Sequence, residues 1–247
     1  MNSNLKILLF AHPRSGSTTL MQILNLHPEI NLMHEPFNEE REQWAEGNKN
    51  YINETKTIVD LDQALEEIHK TYNGFKHLAY QLPEELTEHL LKNKGYKIIF
   101  LHRKNHLKSM VSAFIAEQTS VWTPEEKEQK GEPESLKPLD IEEMRKEIEY
   151  LKHDLKSYRS MVQQSGTPMM EVTYEDLFTV PDDKRLEKTK KIFAFLNLGF
   201  PDNKLEEVES LIAPKRKITN NGTYNLVPNI KEVEKELGSE ENGFLFK

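Results

Sequence analysis

The sequence predicts a three-layer α/β/α fold: a central parallel sheet of about five strands with helices on both faces. Three observations carry this. Short apolar runs (Ile7–Phe10, Ile30–Met33, Gly74–Tyr80, Tyr96–Leu101 and Met169–Val172) recur along the chain, separated by longer stretches with apolar residues at helical spacing. The first run passes through a hydroxyl-rich turn straight into an amphipathic segment, a strand–turn–helix unit. The fourth run ends on a basic cluster, and ligands of such sheets bind off the carboxyl ends of the strands.

The elements follow in order. Ile7–Phe10 is apolar throughout, as suits a strand buried on both faces. After His12-Pro13-Arg14-Ser15-Gly16-Ser17, the residues Leu20, Ile23, Leu24 and His27 fall at helical spacing, so a helix begins near Ser17 or Thr18. Ile30–Met33 reads as a second strand leading into His34-Glu35-Pro36-Phe37-Asn38. Residues 39–60 are polar with isolated aromatics, and read as an excursion over the mouth of a site. Leu61, Leu65 and Ile68 mark a helix with Asp60 as its cap. Gly74–Tyr80 reads as the third strand. Pro83 opens a helix that Gly95 ends, and Tyr96–Leu101 is the fourth strand. Leu107, Met110, Val111 and Phe114 give the next helix an apolar face. Residues 123–138, with three prolines and one glycine, read as a surface loop. A long helix runs from Ile141 to Val162, Met169–Val172 is the fifth strand, Leu186, Phe193 and Leu196 mark another helix, and a last one lies around Ile230–Leu237. The simplest organisation is one domain over residues 1–247, with 39–60 and 123–140 as acceptor-side or surface excursions.

Bulk composition narrows the function. With 33 Lys and Arg against 41 Asp and Glu, the formal charge of −8 speaks against a general polyanion binder. The stretch between Glu88 and Glu117 nevertheless holds six basic residues and no acid, which points to a local anion site. The absence of cysteine excludes disulfides and thiolate metal sites and fits a reducing cytoplasm. No dense His/Asp cluster suggests a metal, and no apolar run reaches the roughly 20 residues of a membrane span. A cytoplasmic protein that requires no metal is therefore expected.

The chemistry concentrates at strand ends. In the first turn, the N–H groups from Ser15 through Gly16, Ser17, Thr18 and Thr19, the positive end of the helix and the Arg14 guanidinium form an anion cradle. A triphosphate loop would read G-x-x-x-x-G-K-[ST]; here Ser17-Thr18 stand where Lys-Ser/Thr would be, so the magnesium and triphosphate equipment is missing. A second anion grip is read at Arg103, which leaves the fourth strand, with Ser112 about two helical turns on and Ser109 as its rival.

Pro13-Arg14-Ser15-Gly16-Ser17-Thr18-Thr19-Leu20 resembles the phosphosulfate-binding loop of sulfotransferases that use 3′-phosphoadenosine 5′-phosphosulfate (PAPS), enzymes of P-loop-NTPase-like fold. The resemblance implies that Arg103 and Ser112 hold the 3′-phosphate of the nucleotide. The usual arginine-to-serine spacing is eight; it is nine from Arg103 and eight from Lys104, but a guanidinium grips phosphate bidentately and an ammonium does not. His34-Glu35-Pro36-Phe37 resembles the segment that supplies a catalytic glutamate in trehalose-type and tyrosylprotein-type sulfotransferases, which implies Glu35 as the base and suggests the bacterial, trehalose-sulfotransferase-like branch. Lys76-His77-Leu78 is similar to the lysine-containing third strand after which cytosolic sulfotransferases carry a histidine, so His77 and Lys76 are further catalytic candidates, with His34 a third base candidate. Tyr174-Glu175-Asp176-Leu177 resembles a structural segment of the family. Lys215-Arg216-Lys217 resembles its carboxyl-terminal basic loop over the nucleotide.

A chain with this resemblance is expected to be a PAPS-dependent enzyme moving a sulfuryl group to a hydroxyl or amine of a small-molecule, glycan or lipid acceptor. It would release 3′,5′-adenosine bisphosphate and need neither nucleic acid nor a membrane span. Phe37, Trp44, Tyr51 and Trp122 are equally readable as acceptor-pocket walls or as core. Two other readings are a P-loop kinase with a degenerate loop and a non-catalytic nucleotide-binding protein of the same fold.

Overall fold

The computed structural model describes residues 5–39, 51–131, 133–213 and 221–246. Its sheet has five strands, β1 (Lys6–Ala11), β2 (Leu32–His34), β3 (Gly74–Leu78), β4 (Tyr96–His102) and β5 (Met169–Thr173), all parallel, in the order β2-β3-β1-β4-β5. β1 is central: Ala11 is in register with Leu78 on one side and with Leu101 on the other, so three strands end together.

Packing groups the chain into two units, Met1–His102 with Ser157–Ile212, and Arg103–Lys156 with Ala213–Lys247. In the first, period-two alternation sends Ile7, Leu9, Ala11, Ile99, Leu101 and Val172 to one face. There they meet Leu20, Ile23 and Leu24 of α1 (Ser17–Leu24), and Ile192 and Phe193 of a later helix (Asp182–Phe195). The other face carries Phe10, Phe75, Tyr96 and Phe100. Tyr158 of the long helix Ile141–Ser165 meets Phe10 edge-on, with ring centres 5.3 Å apart. His69, which ends α2 (Ile58–Ile68), bonds the Tyr96 hydroxyl at 2.6 Å. Arg159 and His102 both bond Glu171, His102 Nε2 at 2.7 Å, pinning the end of the long helix to β4 and β5.

Several local expectations are corrected. The second strand is Leu32–His34 rather than Ile30–Met33. The cap of α2 is Thr57, whose hydroxyl accepts from Asp60 N–H while the Asp60 carboxylate accepts from Thr57 N–H; Asp60 is thus the reciprocal partner in a capping box, not the cap. The stretch 123–138 is not all loop: Pro124–Lys130 is helical, again with a capping box, between Thr123 and Glu126. Sequence periodicity does not mark the short helix Leu205–Ile212, which adds Val208 and Ile212 to the α1-side core.

In the second unit, the helix His106–Thr119 starts on Asn105, whose side chain accepts from Lys108 N–H and donates to the Phe244 carbonyl, 2.8 Å each. The Leu107 N–H donates to Asn242 O at 2.9 Å, so the carboxyl-terminal tail closes this helix start.

Candidate functional site

The first turn folds as a tight loop between β1 and α1 for reasons visible residue by residue. Arg14 (φ 61°) and Gly16 (φ 83°) take left-handed backbone, which wraps the loop tightly between β1 and α1. Ser15 Oγ donates to the His12 carbonyl at 2.6 Å, and His12 N–H donates to Leu101 O at 3.2 Å, fixing the loop to β4. At Gly16 an added Cβ would lie 2.4 Å from a ring carbon of Phe178, so only glycine fits. Phe178 ends the helix Tyr174–Phe178, and its ring lies 4.9 Å from that of Tyr174; the Tyr-Glu-Asp-Leu segment therefore buttresses the loop. No side chain caps α1 and its first turn holds no acid, which leaves its amino end positive.

Glu35 follows β2. Asn25, at the end of α1, accepts from Leu32 N–H and donates to Leu32 O, fixing the start of that strand. Glu35 N–H donates to Lys76 O at 3.1 Å, continuing the ladder to β3, while the buried Phe37 ring anchors the turn beyond. The Glu35 backbone has φ 47°, a left-handed conformation that is costly for any residue with a Cβ and clusters at functional positions. Its carboxylate is 7% exposed and engaged at both oxygens: Oε1 lies 2.5 Å from Lys76 Nζ, and Oε2 accepts from Asn38 Nδ2 at 2.5 Å and from Gln81 Nε2 at 2.9 Å. Gln81 is itself held by Leu78 N–H at 2.9 Å. Burial alone would push the Glu35 carboxyl up, but the Lys76 ammonium, with His34 and the Asn38 amide, outweighs it and brings the pKa down to about 2. Lys76, almost fully buried, also donates to Thr18 Oγ1 of α1 at 2.8 Å, and its Nζ stands 3.4 Å from His34 Nε2. Thr18, Lys76, His34 and Glu35 are thus one connected polar chain from the helix amino end to a carboxylate. Asn38 and Gln81 belong to this site although nothing local in the sequence marks them.

His77 does not join this chain, and its candidacy as a base is corrected. As the neighbour of Lys76 on β3 it faces the opposite side of the sheet, fully buried among Phe10, Phe37 and Phe75 at ring separations of 5.9, 5.9 and 6.4 Å. Neither ring nitrogen has a hydrogen-bond partner among the described residues, and burial lowers its pKa to about 3. With an ordinary value of 6.5, the unfolded chain takes up a proton that the folded one refuses between pH 6.5 and 3, so stability is lost as pH falls through that window. The expected slope is about 1.4 kcal/mol per pH unit, which amounts to about 2 kcal/mol at pH 5. Chemical denaturation of His77→Phe at pH 7 and pH 5 checks this: the variant should lose that part of the acid sensitivity and retain its turnover.

Of the other expected residues, Arg103 is half-buried and opens the second unit, two positions beyond Leu101. Ser112 and its rival Ser109 are both buried on the helix His106–Thr119. Phe37 and Tyr51 are core residues, their rings 6.4 Å apart, and Trp122 is partly exposed. Lys215, Arg216, Lys217 and Trp44 lie outside the described residues. The second unit holds a cavity of about 230 Å³, with Ile115, Ala116 and Val121 as apolar walls and Lys127, Lys130 and Thr223 among its polar lining. Among the described residues no helix is long and apolar enough to cross a membrane, and no group of His, Asp or Glu is arranged to hold a metal.

Residues 5–239 match the family model described as the sulfotransferase domain. Among solved structures, the chain is similar to mouse sulfotransferase SULT7A1 complexed with PAP, at 15% identity and a TM-score of 0.42, over 98% of this chain and 74% of that one. No curated protein matches the sequence.

Proposed function

The chain belongs to the sulfotransferase-domain family, and on that basis we propose that it transfers the sulfuryl group of PAPS to a hydroxyl or amine by in-line displacement, with Glu35 as the base. The observation that carries this reading is the polar chain from Thr18 through the buried Lys76 to the buried Glu35, which joins a carboxylate to the anion cradle. The residues of the cradle fit a sulfated nucleotide. The N–H groups of residues 15–19 and the Arg14 guanidinium are donors suited to the 5′-phosphate and the transferring group, where they stabilise charge as it shifts to the leaving phosphate. Arg103 and Ser112, with Ser109 as alternative, are assigned to the 3′-phosphate, and Lys215, Arg216 and Lys217 to cover the nucleotide.

In the reaction the acceptor oxygen attacks sulfur, its O–H proton passes to the Glu35 carboxylate, the new O–S bond forms, and the S–O bond to the 5′-phosphate breaks to release 3′,5′-adenosine bisphosphate. The Asn38 and Gln81 amides orient the carboxylate, and the burial of Glu35 excludes water from the proton transfer. The acceptor side is assigned to the 123–140 stretch. Incubation with sulfur-labelled PAPS and a panel of hydroxyl and amine acceptors tests the proposal: label should pass to at least one acceptor, and a panel that takes up none, from protein that binds the nucleotide, would favour the non-catalytic reading.

A further inference from the structure

Lys76 is claimed from two sides. Its Nζ is 2.5 Å from Glu35 Oε1 and 2.8 Å from Thr18 Oγ1, and Thr18 belongs to the first turn of α1, where the anion cradle lies. The carboxylate, by contrast, does not depend on Lys76 for its place. Its other oxygen, Oε2, is held by Asn38 and Gln81, and Gln81 is fixed in turn by the Leu78 N–H at the end of β3. One oxygen is thus tethered by neutral amides, while the second carries the exchangeable cation and stands 3.9 Å from His34 Nδ1.

We infer that Lys76 is shared between base and donor: an anion seated at the amino end of α1 draws the ammonium off Glu35 Oε1, so that the carboxylate is free to take the acceptor's proton only when the sulfuryl donor is in place. This rests on the sulfotransferase reading and deepens it by giving Lys76 a role. Three features support it. The ammonium already touches the helix terminus, so a small rotation about its flexible stem is enough to change partners. A phosphosulfate group, which carries two negative charges in all, beside a helix amino end competes strongly for a buried cation. The amide tethers keep the carboxylate in place after the exchange, and burial then makes it a stronger base than its ion-paired state allows. In the absence of the donor the base is masked, which orders the reaction: donor first, proton transfer second. Asn38 and Gln81 are positioning residues in this scheme.

The test is calorimetric titration of 3′,5′-adenosine bisphosphate into the full chain and its variants, with thermal melting to verify folding. Removing the competing carboxylate in Glu35→Gln should tighten binding about 10-fold, by freeing one charge-assisted contact for the phosphate. Lys76→Met should weaken it by about as much, and the double variant should bind no more tightly than Lys76→Met alone. Glu35→Asp, which keeps the charge but shortens its reach, should also bind more tightly than wild type and serves if Glu35→Gln fails to fold. The inference is overturned if neither Glu35 variant gains affinity, or if the gain persists without Lys76. A wild-type chain that binds none of the nucleotide instead overturns the sulfotransferase reading itself.

Discussion

Replacing Glu35 by glutamine is expected to lower the turnover of sulfuryl transfer by roughly 10²–10⁴-fold, the span a positioned general base contributes. The amide preserves shape, and it still accepts from Asn38 or Gln81, but it cannot take the acceptor's proton. The loss should fall on kcat, with nucleotide affinity improved, because the ammonium of Lys76 is then no longer committed to a carboxylate. That opposition separates a lost base from a collapsed fold, in which binding and turnover would vanish together. Steady-state kinetics at saturating PAPS, together with the affinity of the variant for 3′,5′-adenosine bisphosphate, checks it. Full turnover in Glu35→Gln would remove the carboxylate from the mechanism.

Gly16→Ala should also have a large effect, and it acts through the cradle's architecture. Alanine at φ 83° carries a left-handed backbone penalty of about 1–2 kcal/mol. Its methyl would also stand 2.4 Å from the Phe178 ring, so the ring or the loop must move, an overpacking cost of about 1–3 kcal/mol. A stability loss of about 2–5 kcal/mol is therefore expected in denaturant melts. Measured against Phe178→Ala alone, adding Gly16→Ala should cost only the backbone part, because the clashing ring is gone. A single variant as stable as wild type would show that the loop is not held as described.

The strands are legible in the sequence because they are buried on both faces: Ile7–Phe10 and Tyr96–Leu101 are apolar at nearly every position, and no helix pattern competes there. The strand–turn–helix around residues 12–17 is legible too, since a strand, a hydroxyl-rich turn and a helix start are local in sequence. The link between Lys76 and Glu35 is not local: it depends on β2 lying beside β3 with His34 in register with Lys76, which strand pairing determines and composition does not. For His77 the sequence does carry the relevant signal. Adjacent residues of a strand face opposite sides, so Lys76 and His77 cannot both enter one site. The helix Pro124–Lys130 is obscured by the prolines around it, although Pro124 is well suited to a first helical turn and Thr123 with Glu126 spells a capping box. Phe178 carries no sequence signal at all, because its role exists only against Gly16.

Whether this chain holds a nucleotide with phosphates at both ends is decided by calorimetric titration with 3′,5′-adenosine bisphosphate in the absence of magnesium. Saturable one-to-one binding is expected, weakened about 10- to 100-fold in Arg103→Ala, as loss of a charge-assisted phosphate contact requires. No binding by the wild type, affinity undiminished in Arg103→Ala, or magnesium-dependent binding of ATP in its place would contradict the assignment.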